Sequence, residues 1–242
     1  MRTAKRIEKL PPYLFAEIDR KVAEAKARGA DIISFGVGDP DLPSPPHVIE
    51  ALQKGAADPA THRYPSYTGM PEFRESIATW YRSRFGVTLD ATDEVQPLVG
   101  SKEGIFHLPI AFIDPGDVAL IPDPGYPVYE TGTILAGGEA VLLPLTEEND
   151  FRPDLSGLSA DVLARARVLW LNYPSNPTAA CVDKEFFASA VAFCKENDLL
   201  LAHDAAYTEI TFDGYVAPSV LEVEGAMDCA IEFHSLSKTY NM

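Results

Sequence analysis

The sequence predicts an α/β protein built as a three-layer α/β/α sandwich around a mainly parallel sheet. Six short runs are largely apolar: VQPLVGS (95–101), VALIPDPGY (118–126), AVLLPL (140–145), VLWLNYPSNP (168–177), LLLAHDAAY (199–207) and CAIEFHSLSK (229–238). Segments with helical patterning lie between most of them, as a sheet covered on both faces requires. Five of the six runs end in polar or Gly/Pro-rich residues: GSKEG, PDPGYP, NYPSNPT, HDAAY and HSLSK. Open α/β sheets bind ligands beyond the carboxyl ends of their strands, so these endings gather the unusual residues on one rim.

The elements follow in order. AEIDRKVAEAKARG and PEFRESIATWYRSRFG read as amphipathic helices, each closed by Gly, the second opened by Pro71. The run at 95–101 reads as the first strand, and SKEGIFHLPIAFI as a helix starting at Ser101 and Lys102. DKEFFASAVAFCKEND, ahead of the strand that begins LLLAH, reads as a helix with Asp183 as its N-cap. The other runs are the remaining strands. No internal repeat or low-complexity tract interrupts them.

Composition narrows the function. The 242 residues are 46% apolar and carry 36 acids against 20 bases, a formal charge of −16. A surface that negative repels nucleic acid and anionic membranes, though it leaves room for a small anion in a local pocket. Cys181, Cys194 and Cys229 are scattered, with no CxxC, and read as small buried hydrophobes of a protein in a reducing compartment. MRTAKRIEKLPPYLF has no apolar core of a secretory signal, and no run approaches the ~20 apolar residues of a membrane span. The expectation is a soluble, cytoplasmic protein.

Several rim ligands are excluded by pattern. GVGDPD lacks a glycine of the dinucleotide fingerprint, and GSKEG is not a P-loop. The five histidines have no metal-ligand spacing, so His203 reads as a core histidine, and no G-x-S-x-G elbow is present. Left on the rim are helix-start amides, hydroxyls, an Asp, two Tyr, an Asn and a Lys. That set suits pyridoxal 5′-phosphate, which takes a lysine for its aldehyde, a carboxylate against its ring nitrogen, a donor at its phenolate oxygen, an aromatic face and a phosphate cup.

GSKEG, PGYPVY, NYPSNPT, DAAYTE and HSLSKTYNM, in that order, resemble the fold-type I PLP-dependent aminotransferases of class I/II, across essentially the whole chain. LPPYLFAEIDRKVAEAKARGADIISFGVGDPDLPSP and RYPSYTGMPEFRESIATWY are similar to the branch that makes LL-diaminopimelate from tetrahydrodipicolinate, with glutamate as amino donor, in lysine biosynthesis. Alternatives are a class I/II aminotransferase of aspartate or alanine type, or a catalytically silent fragment.

The resemblance implies roles. Lys238 would bind the cofactor aldehyde and shuttle the substrate proton. Asp204 would pair with the ring nitrogen, and Tyr207 and Asn176 would flank the phenolate oxygen. Tyr126 would stack on the ring. Ser101, Lys102, Ser235 and Ser237 would hold the phosphate, joined by Tyr64 from a second subunit, which implies a homodimer with shared sites. Tyr13, Gly38, Lys102, Tyr126 and Asn176 match substrate-binding positions, and no metal is implied. By the same resemblance, residues 1–45 form an N-terminal, substrate-gating segment and 46–242 an incomplete PLP-binding large domain, with the C-terminal small domain absent. The family pattern also continues past the lysine to a phosphate-binding arginine, a strand lying between the first strand and the lysine-bearing one, and a carboxylate-clamping arginine. The expected sheet therefore has a gap.

Overall fold

Alternation along the strands decides which layer each residue serves. The computed structural model describes residues 2–11, 14–33 and 42–242. Among them are strands β1 (Val118–Asp123), β2 (Glu139–Pro144), β3 (Ala166–Asn172), β4 (Leu200–Asp204) and β5 (Ala230–Phe233). They form one sheet in the order β2-β1-β3-β4-β5, and every pairing is parallel. Val118 and Leu120, Leu169 and Leu171, and Leu201 face one core, while Ala119 and Ile121, Val168 and Trp170, and Ala202 face the other. A sheet apolar on both faces needs a helical layer on each.

Helices supply both layers. α1 (Leu14–Ala27), α2 (Pro46–Ala57) and α3 (Pro71–Phe85) precede the sheet. α4 (Ser101–Phe112) and α5 (Val128–Ala136) cover one face through Ile105, Leu108 and Tyr129. α6 (Ala160–Arg165) and α7 (Lys184–Glu196) cover the other, where Phe187, Ala190, Val191 and Cys194 of α7 are buried. α8 (Leu236–Tyr240) follows β5. The predicted punctuation is present: Pro71 opens α3, Gly86 closes it at φ 70°, and the Asp183 side chain accepts from the Phe186 amide at 2.8 Å. α4 lies close to the sheet edge because Gly104 has no side chain; a Cβ there would stand 2.5 Å from Leu98 and 2.7 Å from Phe233.

Two expectations need correction. The run at 95–101 is not a strand: residues 95–98 belong to no ladder, and Ser101 already starts α4. Leu98 packs against the core, so burial alone accounts for the apolar run. A strand also needs a neighbour to take its backbone hydrogen bonds, and β5, the edge strand on that side, pairs with β4 alone among the described residues. Of the cysteines, only Cys194 is buried; Cys229 is partly covered and Cys181 is exposed, since Cys181 lies in the turn ahead of α7 rather than on its inward face. No helix among the described residues is long and apolar enough to cross a membrane.

Phe187 is wholly buried and its ring lies 4.7 Å from that of His203. Phe187→Ala is expected to cost about 3–5 kcal/mol of unfolding free energy, read as a lower urea midpoint at unchanged slope. A loss below about 1 kcal/mol would mean that α7 does not carry this core.

Candidate functional site

Chain topology places the site before any side chain is considered. β2 and β3 lie on opposite sides of β1, so the connections after β1 and into β3 diverge there, and a crevice opens at the carboxyl ends of the strands. A cleft of about 280 Å³ occupies that end of the sheet. β1 delivers Tyr126 to it, β3 delivers Asn172, β4 delivers Asp204 and the following Tyr207, and β5 delivers Ser235, Ser237 and Lys238. Gly100, Ser101 and Lys102 enter from the start of α4. The Ser44 hydroxyl donates to the Asn241 carbonyl and so ties the residues after Lys238 to the chain ahead of α2.

Asp204 is the costliest group in the cleft. It is 5% exposed, its Oδ2 accepts from the Tyr129 hydroxyl at 2.7 Å, and its buried Oδ1 has no partner among the described residues. Burial pushes its carboxyl above the ordinary range, opposed by the Tyr129 hydrogen bond, the charge of His203, the Ala206 amide and the charge of His234. Tyr129 is itself fixed, stacked on Trp170 at 4.7 Å, and burial and Asp204 hold its phenol protonated. Asn172 sets the backbone around it: its Nδ2 donates to the Asp204 carbonyl at 2.7 Å and its Oδ1 accepts from the Asn176 amide at 2.7 Å. The half-satisfied carboxylate is therefore held rigidly, with one oxygen left for a donor from the cleft.

The rest of the cleft suits a planar, phosphorylated ligand. Tyr207 and Asn176 line the cleft together; burial, Asp204 and Tyr126 raise the Tyr207 phenol, opposed by Asn176, so it enters as a neutral donor beside the amide. Gly100 adopts φ 79°, where a side chain would be strained, and turns the chain into the amino end of α4, whose free amides and dipole favour an anion. Lys102 and Lys238 line the same cleft on a protein of net charge −16. The Ser235 hydroxyl caps α8, accepting from the Ser237 amide at 3.3 Å, which orients the turn that carries Lys238.

Ser101, Lys102, Tyr126, Asn176, Asp204, Tyr207, Ser235, Ser237 and Lys238 are thus brought together. Tyr64 is not: it is fully exposed and outside the cleft. Tyr13 and Gly38 lie outside the described residues. Sequence reasoning missed Tyr129, Asn172 and Gly100. Tyr129 sits in PGYPVYE, three residues from a tyrosine that drew the attention, and helical spacing rather than strand position brings it to Asp204. Asn172 was legible as a polar residue ending an apolar strand.

The sequence profile of the family described as Aminotransferase class I and II matches residues 30–242. The chain is 59% identical to LL-diaminopimelate aminotransferase of Desulforudis audaxviator over 99% of its own length and 61% of that protein. It is 56% identical to the enzyme of the same name from Syntrophobacter fumaroxidans, over 99% of this chain and 62% of the relative. Among solved structures, apo-BacF from Bacillus subtilis superposes with a TM-score of 0.94 at 42% identity, covering all of this chain and 62% of that one. A single mutant of Thermus thermophilus aspartate aminotransferase superposes at 0.91 and 28% identity, again over all of this chain and 62% of the other. The chain therefore spans about three fifths of the length of these relatives.

Tyr129→Phe removes the only side-chain donor to the Asp204 carboxylate among the described residues. It is expected to lower stability by about 1–3 kcal/mol at neutral pH. Asp204 already ionises above its ordinary value in the folded protein, and the variant raises it further, so the loss is full above that value and fades as acid protonates the carboxyl in both proteins. Urea unfolding at neutral pH and in mild acid checks this; an equal loss at both would show that Tyr129 acts through packing alone.

Proposed function

The chain belongs to the aminotransferase class I and II family, and on that premise we propose that its cleft holds pyridoxal 5′-phosphate and serves amino-group transfer. The observation that carries this reading is the buried, unpartnered Oδ1 of Asp204 in a cleft it shares with Lys238. A carboxylate left half-satisfied is stabilised by a cationic N–H donor, and a protonated pyridine nitrogen is one. The donor set fits the group: a lysine, a carboxylate, a phenol with an amide, an aromatic ring and a helix amino end on one rim.

When bound, pyridoxal phosphate supplies an electron sink for the carbon from which an amino acid loses its proton. The chain's own residues do the rest. Asp204 would hold a positively charged ring nitrogen at its free oxygen. Tyr207 and Asn176 would offer donors to the cofactor's phenolate oxygen, and Tyr126 would pack on its ring. Gly100, Ser101, Lys102, Ser235 and Ser237 receive the phosphate. Lys238 would hold the cofactor through its Nζ, and the same amine would be the base that moves the substrate proton.

The substrate proposed is the pair that forms LL-diaminopimelate, tetrahydrodipicolinate with glutamate as donor, because relatives of that name reach 52–59% identity over nearly all of this chain. Aspartate aminotransferase of Thermus thermophilus shares the fold at 28% identity, which favours the diaminopimelate reading over the aspartate one. Tyr13, Gly38, Lys102, Tyr126 and Asn176 are assigned to substrate contact. We assign the protein to the cytoplasm as a homodimer, in which the exposed Tyr64 reaches a phosphate in the neighbouring subunit.

Three measurements test this. The visible spectrum of the 242-residue chain with pyridoxal phosphate is expected to show an absorption band that shifts on adding glutamate. Borohydride reduction followed by peptide mass analysis is expected to fix the cofactor on Lys238, and Lys238→Ala to abolish that adduct; an adduct retained on another lysine would overturn the assignment. In a chain carrying the full length of the relatives, Asp204→Ala is expected to cut turnover by several orders of magnitude. A mild loss would give the ring nitrogen another partner.

A further inference from the structure

Asn172 lines the cleft but turns its polar atoms to the backbone. It closes β3, is 4% exposed, and has Asp204, the last residue of β4, as its ladder partner. Strand alternation sends both side chains to the face that carries Trp170 and Ala202. Asn172 Nδ2 donates to the Asp204 carbonyl at 2.7 Å, with the Pro174 carbonyl 3.5 Å away. Its Oδ1 accepts from the Asn176 amide at 2.7 Å. Both ends of the side-chain amide are thereby engaged.

The two segments it joins are those that bring groups into the cleft. One ends in the carboxyl with a bare oxygen, and the other carries the Asn176 side chain that enters beside Tyr207. Each has supports of its own. In the turn after β3, the Ser175 amide donates to the Ala180 carbonyl at 3.0 Å, and the Ala179 amide to the Ser175 carbonyl at 2.9 Å. Beside Asp204, the Ala205 amide donates to the Phe233 carbonyl at 2.8 Å, and the Tyr129 hydroxyl bonds the carboxylate. On the far face, His203 Nε2 lies 2.9 Å from the Tyr173 carbonyl, a contact at the strand end that does not reach Asn176. Asn172 bonds Asp204 and Asn176 directly. A buried amide met by short bonds at both ends is a stiff link, because breaking either bond leaves a polar group away from water.

We propose that Asn172 is a positioning residue of the cleft: its side chain sets the spacing between the Asp204 carboxylate and the Asn176 side chain. The use of that spacing rests on the reading of the cleft as a pyridoxal phosphate site. There the ring nitrogen and the phenolate oxygen belong to one rigid ring, so the groups that receive them must keep one separation. A misplacement of about 1 Å costs up to about a hundredfold in rate. The link itself belongs to the folded chain, with or without cofactor.

Amide hydrogen exchange of the 242-residue chain without cofactor tests the link. In the unaltered protein the Asn176 amide is expected to exchange about a hundredfold or more slower than an unstructured amide. In Asn172→Ala it is expected to speed up about tenfold or more, with the Leu169 and Leu201 amides unchanged. Asn172→Asp keeps an oxygen for that amide and is expected to restore its protection. Free exchange of Asn176 in the unaltered protein would overturn the proposal, and so would full protection in Asn172→Ala. Should Asn172→Ala fail to fold, the exchange of the unaltered protein still decides. A second readout separates positioning from stability. With pyridoxal phosphate bound to a chain of the relatives' full length, the pH midpoint of its visible band is expected to rise in Asn172→Ala by about half a unit or more, because displaced donors no longer oppose protonation at the phenolate oxygen. A destabilised variant with an unmoved midpoint would overturn the positioning role. Failure of the unaltered chain to take up pyridoxal phosphate would count against the reading of the cleft and leave the exchange results intact.

Discussion

Burying the Glu232 carboxylate is the constraint on which the rest of the molecule turns. Its polar partners come from α3, from β4, from the turn Val220–Glu222 and from the end of β5 itself. Removing a charge from water costs several kcal/mol, roughly, unless each lone pair is met, so those segments must arrive together. The consequence is registry. His203 stands opposite Glu232 in the ladder, and a slip of one residue would send one of them to the far face, among Ala202, Trp170 and Phe233. With the register fixed, β4 ends at Asp204 beside the end of β5, and the turn after β5 brings Lys238 to the same cleft.

Asp204 is handled in the opposite way. Among the described residues, Glu232 meets three donors and two histidine nitrogens and lies below its ordinary ionisation range; Asp204 receives one side-chain donor, keeps a bare oxygen and lies above it. The two carboxylates stand on adjacent strands, one position apart in the ladder and on opposite faces. The saturated one serves the fold, and the unsaturated one is available for chemistry. An incompletely satisfied group persists in a folded protein only where the surroundings are rigid, and Tyr129, Asn172 and the stacked Trp170 supply that rigidity here.

Much of this was legible from the chain. Runs apolar on both faces gave the parallel sheet and its two helical layers, and the polar endings of those runs gave the rim. Ser101, Lys102, Tyr126, Asn176, Asp204, Tyr207, Ser235, Ser237 and Lys238 converge as their positions at strand and helix ends predicted. The run at 95–101 misled because apolar patterning reports burial, whereas a strand depends on a partner elsewhere in the sequence. His203 was legible as a core residue but its role was not. Neither HD at the end of one strand nor EFH at the end of another reveals that the two strands pair in that register. Tyr129 was hidden for a related reason, since its contact with Asp204 spans 75 positions and depends on how α5 lies over the sheet.

The place of β5 also bears on how the protein is made. β1 to β4 are complete in sequence by Asp204, while β5 begins only at Ala230. Throughout that stretch of synthesis β4 is an open margin, with Leu200, Leu201 and Ala202 presenting unpaired backbone groups. Apolar margins of this kind invite strands from other nascent chains for as long as the covering strand has yet to be made. The contact between His203 and Glu232 forms only once β5 has taken its place at that margin.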